Sequence, residues 1–185
     1  MKAKEILKNV CVYLGYDDLA EAIETGNVSE PNEKKLNKML KCLNLVVGEI
    51  ASEYLPVIKQ KDVKLTNGQI DVYQIDEYIQ EIISIKDKFG RNLKYKYTKD
   101  KVVCLASNVQ ITYKVYTKDI GLEDDVESFG GRLSERVIGY GVASEYAYLQ
   151  MLYDDASIWE NRYKNALLNC TRKKGEIKLK KRGWF

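Results

Sequence analysis

Apolar positions recur along this chain in two rhythms, and the changeover falls at Pro56. From Lys4 to Gly15, the residues Ile6, Leu7, Val10, Cys11, Tyr13 and Leu14 stand at helical spacing, and Gly15 is placed to stop the helix. Asp17 and Asp18 are placed to cap a short helix over Leu19 to Thr25, which Gly26-Asn27 breaks. Ser29-Glu30-Pro31 reads as a further helix start with proline in the first turn. Leu36, Met39, Leu40, Leu43, Val46, Val47, Ile50 and Tyr54 then form one apolar stripe up to Pro56. That spacing predicts the longest helix of the N-terminal half, about 24 residues and roughly 36 Å at ~1.5 Å per residue.

Past Pro56 the period is two. Val63-x-Leu65 and Ile70-x-Val72 flank Asn67-Gly68, whose tolerance of positive φ suits a tight type I′ hairpin. Ile83-x-Ile85 is expected to pair with Leu93-x-Tyr95-x-Tyr97, and Val102 to Leu105 with Val109-x-Ile111-x-Tyr113-x-Val115. Short strands with turns this close predict a small antiparallel module curled into a sandwich or partly open barrel. Helical spacing returns after the acidic, glycine-containing stretch from Gly121 to Gly131. Leu133, Val137, Ile138, Gly141, Val142, Tyr146 and Leu149 share one face, with Ser134 placed to cap, and Gly139 and Gly141 suggest close backbone approach. Ala156, Trp159, Tyr163, Ala166, Leu167 and Cys170 share a face of a last helix that starts near Tyr153-Asp154-Asp155. The expected fold is α+β: a helical scaffold from residues 1–55 and 119–171, an antiparallel β insertion at 56–118, and a basic docking tail at 172–185.

Composition narrows the chemistry. The 185 residues suit one domain with a small appendage, and they contain no histidine. That argues against serine and cysteine triads, most zinc sites and most general-base schemes near neutral pH, all of which rest on imidazole. Cys11, Cys42, Cys104 and Cys170 are scattered among apolar neighbours without a C-x-x-C pair and read as reduced core thiols. Apolar runs fall short of the ~20 residues of a bilayer span, and the opening Met1-Lys2-Ala3-Lys4 leads into an amphipathic segment, so neither a membrane span nor classical secretion is expected.

The motifs with a chemical look have plainer readings. Gly139-x-Gly141 lacks the third glycine and preceding strand of a dinucleotide fingerprint, and Gly130-Gly131-Arg132 lacks the Gly-Lys-Ser/Thr of a phosphate loop. Asp17-Asp18, Asp124-Asp125 and Asp154-Asp155 are read as acids at helix starts in preference to metal ligands or acid–base pairs. No catalytic, cofactor-binding or metal-binding residues are assigned, no cofactor is expected, and the chain is read as not an enzyme. Tyr95, Tyr97, Tyr113 and Tyr116 alternate beside Lys94, Lys96 and Lys114 like a platform for single-stranded nucleic acid, although half-buried strand faces use tyrosine in the same way.

Charge is concentrated at one end. The net +3 divides into +6 on residues 172–185 and −3 on the rest. Arg172, Lys173, Lys174, Lys178, Lys180, Lys181 and Arg182 surround Ile177 and Leu179, and the segment ends on Trp184 and Phe185. A solvating tail needs no terminal aromatics. The pattern is that of a segment disordered alone that docks on a partner, with aromatics as anchors and cations for steering. Nucleic-acid contact through this tail and the strand tyrosines is the alternative reading.

Three runs in the last sixty residues carry a family resemblance. They are Gly139-Tyr140-Gly141-Val142-Ala143-Ser144-Glu145-Tyr146, then Tyr153-Asp154-Asp155-Ala156-Ser157-Ile158-Trp159-Glu160-Asn161-Arg162-Tyr163-Lys164-Asn165-Ala166-Leu167, then the basic end with Arg182-Gly183-Trp184. Together they resemble the C-terminal half of the head-tail connector (adaptor) proteins of tailed bacteriophages. The helices before Pro56 and the inserted sheet fit the same pattern, whereas residues 57–130 match only in kind. The resemblance implies a structural virion protein at the head-tail junction, present in the host cytoplasm during assembly. It would form a homo-oligomeric ring, twelve-fold by expectation, that docks on the portal and lines part of the DNA ejection channel. The implied partners are portal protein, neighbouring copies, a tail or stopper protein below, and genomic DNA passing without sequence-specific binding; no membrane is involved. Residues 172–185 would then bind the portal or an adjacent subunit. Tyr146, Trp159, Tyr163, Ala166 and Leu167 would serve scaffold or subunit packing, and Arg162 would donate an ion pair between helices or subunits.

Overall fold

The computed structural model describes residues 1–171 apart from Glu77, Lys99 and Ser128. Its helices are α1 (Ala3–Tyr13), α2 (Asp17–Thr25), α3 (Glu30–Glu49), α4 (Val72–Ile75), α5 (Glu135–Leu149) and α6 (Tyr153–Thr171). Its strands are β1 (Val57–Lys64), β2 (Gln69–Asp71), β3 (Ile79–Lys86), β4 (Tyr95–Thr98), β5 (Lys101–Cys104) and β6 (Asn108–Val115). The architecture is α+β. Gly15 and Gly26 take φ of +73° and +77° just beyond α1 and α2, where left-handed backbone excludes most side chains. The helix α3 runs on through one wider turn, Ile50–Tyr54, in which the Leu55 amide donates to Ile50 O at 2.8 Å.

Both chain ends build one helical core. Ile6, Leu7 and Val10 of α1, Met39, Leu43 and Val46 of α3, Ile138 and Val142 of α5, and Leu167 of α6 are buried together. Gly141 lets the helices close: a Cβ there would lie 2.8 Å from Val46 Cγ1 and 3.0 Å from Tyr163 Cε2. The return loop is stapled to α3 by Asn44, whose Nδ2 donates to Ile120 O at 3.0 Å while its Oδ1 accepts from the Ile120 amide at 2.7 Å.

One acidic pair departs from its expected role. Asp17-Asp18 and Asp154-Asp155 lie in the first turns of α2 and α6, where the helix dipole favours acids. Asp124-Asp125 instead holds the N-terminus. The Ala3 amide donates to Asp124 O at 3.1 Å, the Val126 amide donates to Met1 O at 2.7 Å, and Lys2 Nζ pairs with Asp125 at 3.1 Å. No helix starts there: the backbone and the Asp125 carboxylate make a strand-like tie between the chain start and the return loop, while the Asp124 carboxylate accepts from the Gly121 amide at 2.7 Å.

The β module has its own core and its own surprise. Two three-stranded antiparallel sheets, in the orders β1-β6-β3 and β2-β5-β4, share Ile70, Ile82, Ile85, Val102, Val109, Ile111 and Tyr113 as a common interior. The Asn67-Gly68 turn forms, with φ of +53° and +73° and a Thr66–Gln69 bridge, but the strands beyond it part company. The strand β1 runs with β6, from Val57–Val115 to Lys64–Asn108, and β2 runs with β5. The hairpin expected between Ile83-x-Ile85 and Leu93-x-Tyr95 forms only at its turn, through a Lys86–Asn92 bridge and the Leu93 amide donating to Ile85 O at 2.8 Å, before β3 runs with β6. The one expected between Val102–Leu105 and Val109–Val115 gives way to β5 pairing with β4. A turn dictates local reversal only; strands then choose the partner that buries more apolar surface. The strand β6, with Val109, Ile111, Tyr113 and Val115 all inward, takes the centre of its sheet.

Two smaller corrections follow from the same physics. Register shifts in β3 turn Ile82 and Ile85 inward and leave Ile83 exposed, so Ile83 and Ile85 do not share a face. Val72 belongs to the short helix α4, capped by Asp71, whose carboxylate accepts from the Tyr73 amide at 3.0 Å.

Candidate interaction surface

The antiparallel hairpin of α5 and α6 carries the residues singled out for packing. Ser144 Oγ donates to Ala156 O at 3.2 Å and Gly141 faces Tyr163, so the end of α6 lies beside the start of α5. Tyr146, Tyr163 and Leu167 are buried inside this subunit; Trp159 and Ala166 are half-buried against the same core. Trp159 stacks on Tyr13 with ring centroids 5.4 Å apart and tilts against Tyr140 at 5.6 Å. Arg162 is exposed and lays its guanidinium over the Trp159 ring, 4.8 Å from the centroid. Within this subunit its described contact is aromatic.

Burial decides the protonation of these groups. Tyr163 is held well above the usual phenol range by burial and by Glu49 beside it, so it stays a donor, giving its proton to Glu49 Oε2 at 3.3 Å. Tyr146 is pushed up to about 12, first by burial and then by its neighbour Tyr16. Cys11 and Cys42 are each pushed up to about 11 by burial, which keeps them as neutral thiols rather than nucleophiles.

The corner joining α5 to α6 escaped the sequence reading. Tyr148, Leu149, Met151, Leu152 and Tyr153 are all exposed, Leu149 at 57%, Met151 at 75% and Tyr153 at 63%. The helix ends in a Schellman turn: the Met151 amide donates to Tyr148 O and the Leu152 amide to Ala147 O, both at 3.0 Å. Met151 therefore sits at φ +61°, where glycine is the usual occupant. A non-glycine residue in that conformation costs about 1–2 kcal/mol. Beside the corner lies a cavity of about 280 Å³ lined by Tyr13, Tyr16, Tyr146, Leu152, Ile158 and Trp159, with Asp155 and Arg162 at its rim. Five apolar residues out of six across a helix-to-helix turn, a place normally polar, is the signal in the sequence that could have exposed it.

The other candidates do not converge. Tyr113 is buried in the module interior, Tyr95 is half-buried and donates to Ile82 O at 3.0 Å, and only Tyr97 and Tyr116 are exposed. Tyr97 lies on the β2-β5-β4 sheet whereas Tyr113 lies on the other, so the four tyrosines form no single stacking platform. Among the described residues, no three acidic or cysteine side chains are grouped as metal ligands, and no helix is long and apolar enough to cross a membrane. Arg172, Lys173, Lys174, Ile177, Lys178, Leu179, Lys180, Lys181, Arg182, Trp184 and Phe185 lie outside the described residues. No protein-family model and no curated protein matches the sequence.

Proposed function

We infer that this chain is a structural ring subunit at the head-tail junction of a tailed bacteriophage, an adaptor that docks on the portal and lines part of the DNA channel. The observation that carries the reading is the α5–α6 hairpin. The glycines and aromatics on which the resemblance rests close a helical scaffold, and that hairpin presents an exposed apolar corner suited to contact with another molecule. The inserted β module, with a core of its own, fits an arm carried on the scaffold. The basic segment 172–185 engages the portal or an adjacent subunit, with Trp184 and Phe185 as anchors. A nucleic-acid module is the weaker reading because the strand tyrosines do not share a face.

The test is electron microscopy of purified chain mixed with portal protein. Closed rings seated on the portal, twelve-fold by expectation, support the reading. A complex that saturates at one or two copies per portal overturns it.

A further inference from the structure

We propose that the exposed α5–α6 corner is the receptor for the C-terminal segment, residues 172–185, of a neighbouring copy of this chain. The proposal rests on the reading of the chain as a self-associating ring subunit and names the contact that joins one subunit to the next.

Three features of the corner point to an occupant. Its apolar side chains are exposed together, although the same turn built from polar residues would satisfy every backbone hydrogen bond. Met151 holds left-handed backbone with three-quarters of its surface in water, so among the described residues nothing compensates the strain; glycine would make the same Schellman turn without it. Four aromatic rings, Tyr13, Tyr16, Tyr146 and Trp159, line the adjacent cavity together with Leu152 and Ile158, a setting that receives flat apolar side chains.

Charge selects the occupant. Acids outnumber cations around this end: Asp154 and Asp155 start α6 and Asp17 and Asp18 follow Tyr16, which lines the cavity, against Arg162 in the lining and Lys35 over the Tyr16 ring. The complementary piece must be basic with apolar anchors. Residues 172–185 place Lys180, Lys181 and Arg182 directly before Trp184 and Phe185. Cations then meet these acids while the rings enter the cavity and cover Met151.

Topology selects a neighbour's corner over the chain's own. The helix α6 starts at the corner and ends beside the start of α5, so Thr171 lies about 27 Å away at ~1.5 Å per residue. Fourteen extended residues reach about 46 Å, enough to return. A return along the exposed face of α6 would pass Arg162 and Lys164, with Glu160, already paired to Lys164, the one acid of that helix between Ala156 and Thr171. A strand of lysines gains nothing there. A corner at one end of the scaffold and a donor segment leaving the other make a head-to-tail joint, the kind that repeats around a ring.

The experiment places p-benzoylphenylalanine at Trp184 of the full-length chain. Heavy-isotope and light copies are mixed at millimolar concentration without portal, irradiated, and the cross-linked peptides read by mass spectrometry. Heavy-to-light links from residue 184 to residues 148–158 are expected. Links within one copy only, links elsewhere, or no links overturn the proposal. A second arm uses Met151→Gly, which removes the side chain while relieving the backbone. It should raise the melting temperature yet weaken self-association by about tenfold, roughly one hot-spot contact. Unchanged association overturns the proposal without any question of misfolding. Cross-links at the corner without rings on the portal would keep this joint and sink the connector reading; rings on the portal without corner cross-links would do the reverse.

Discussion

The helical scaffold and the β module respond to sequence in different ways. In the scaffold, residues three and four apart already share a face, so the pattern that makes a helix is also the pattern that buries it. In the module only β4 and β5 form a local hairpin, Thr98 facing Lys101, and the other ladders join strands far apart in the chain: β1 begins against Val115, nearly sixty residues on, and β6 serves both β1 and β3. The two regions also differ in charge, with 12 basic against 19 acidic residues in positions 1–56 and 118–171, and 11 against 7 in positions 57–117. Separate cores and opposite charge set the module apart from the scaffold, and Val57 packs against both interiors.

That separation can be broken most sharply inside the module. Ile111 is fully buried at its centre, and Ile111→Ala should cost about 4 kcal/mol through lost burial and a cavity. Amide hydrogen exchange should accelerate across residues 57–117 while α1, α3 and α5 keep their protection; equal acceleration everywhere would show one cooperative unit. The matching change in the scaffold is Gly141→Val, which drives a branched side chain into Val46 and Tyr163 and should cost about 3 kcal/mol, read as a lower urea midpoint with the module's exchange unaltered.

Smaller effects sharpen the contrast between turn and ladder. Gly68 has φ +73°, and a Cβ there would come within 2.8 Å of Cys104 O, a backbone atom that cannot swing aside. Gly68→Ala should therefore cost about 2 kcal/mol, from strained backbone together with the clash. A thermal midpoint equal to that of the parent would show that the turn can rearrange without loss.

The smallest expected effect is electrostatic and belongs to the scaffold. Burial holds the Glu49 carboxyl above the ordinary range; the Tyr163 hydroxyl pulls it down, and Glu53 and Glu145 push it up again. A carboxyl whose folded pKa is raised adds stability below its unfolded pKa and loses that stability as pH rises through the folded value. Glu49→Gln keeps an acceptor for Tyr163, so it should raise the melting temperature at neutral pH and flatten the stability profile across that acidic window. A variant less stable than the parent at pH 7 would show that the charged form is the favoured one.

How much could be read in advance follows the same division. Gly15, Gly26, Pro31 and Pro56 mark helix limits through backbone chemistry that operates within one turn, and the helices formed close to those limits. Gly139 and Gly141 announced close packing because glycine in a helix interior is costly unless something approaches. Asn67-Gly68 announced a turn for equally local reasons. The corner at Met151 was legible in principle, as apolar residues where a turn should be polar, but its importance depended on no described residue folding over it.

Tertiary structure alone decided the rest. That β1 and β3 both pair with β6, that Ile83 faces outward while Ile82 faces in, and that Asp124-Asp125 ties down the N-terminus all depend on contacts between distant residues. The sequence by itself determined where the chain turns, which stripes are apolar and where the charge accumulates, because steric limits and periodicity act within a few residues. Partner choice was settled by the free energy of burying whole faces, a quantity that exists only once several elements compete for the same surface.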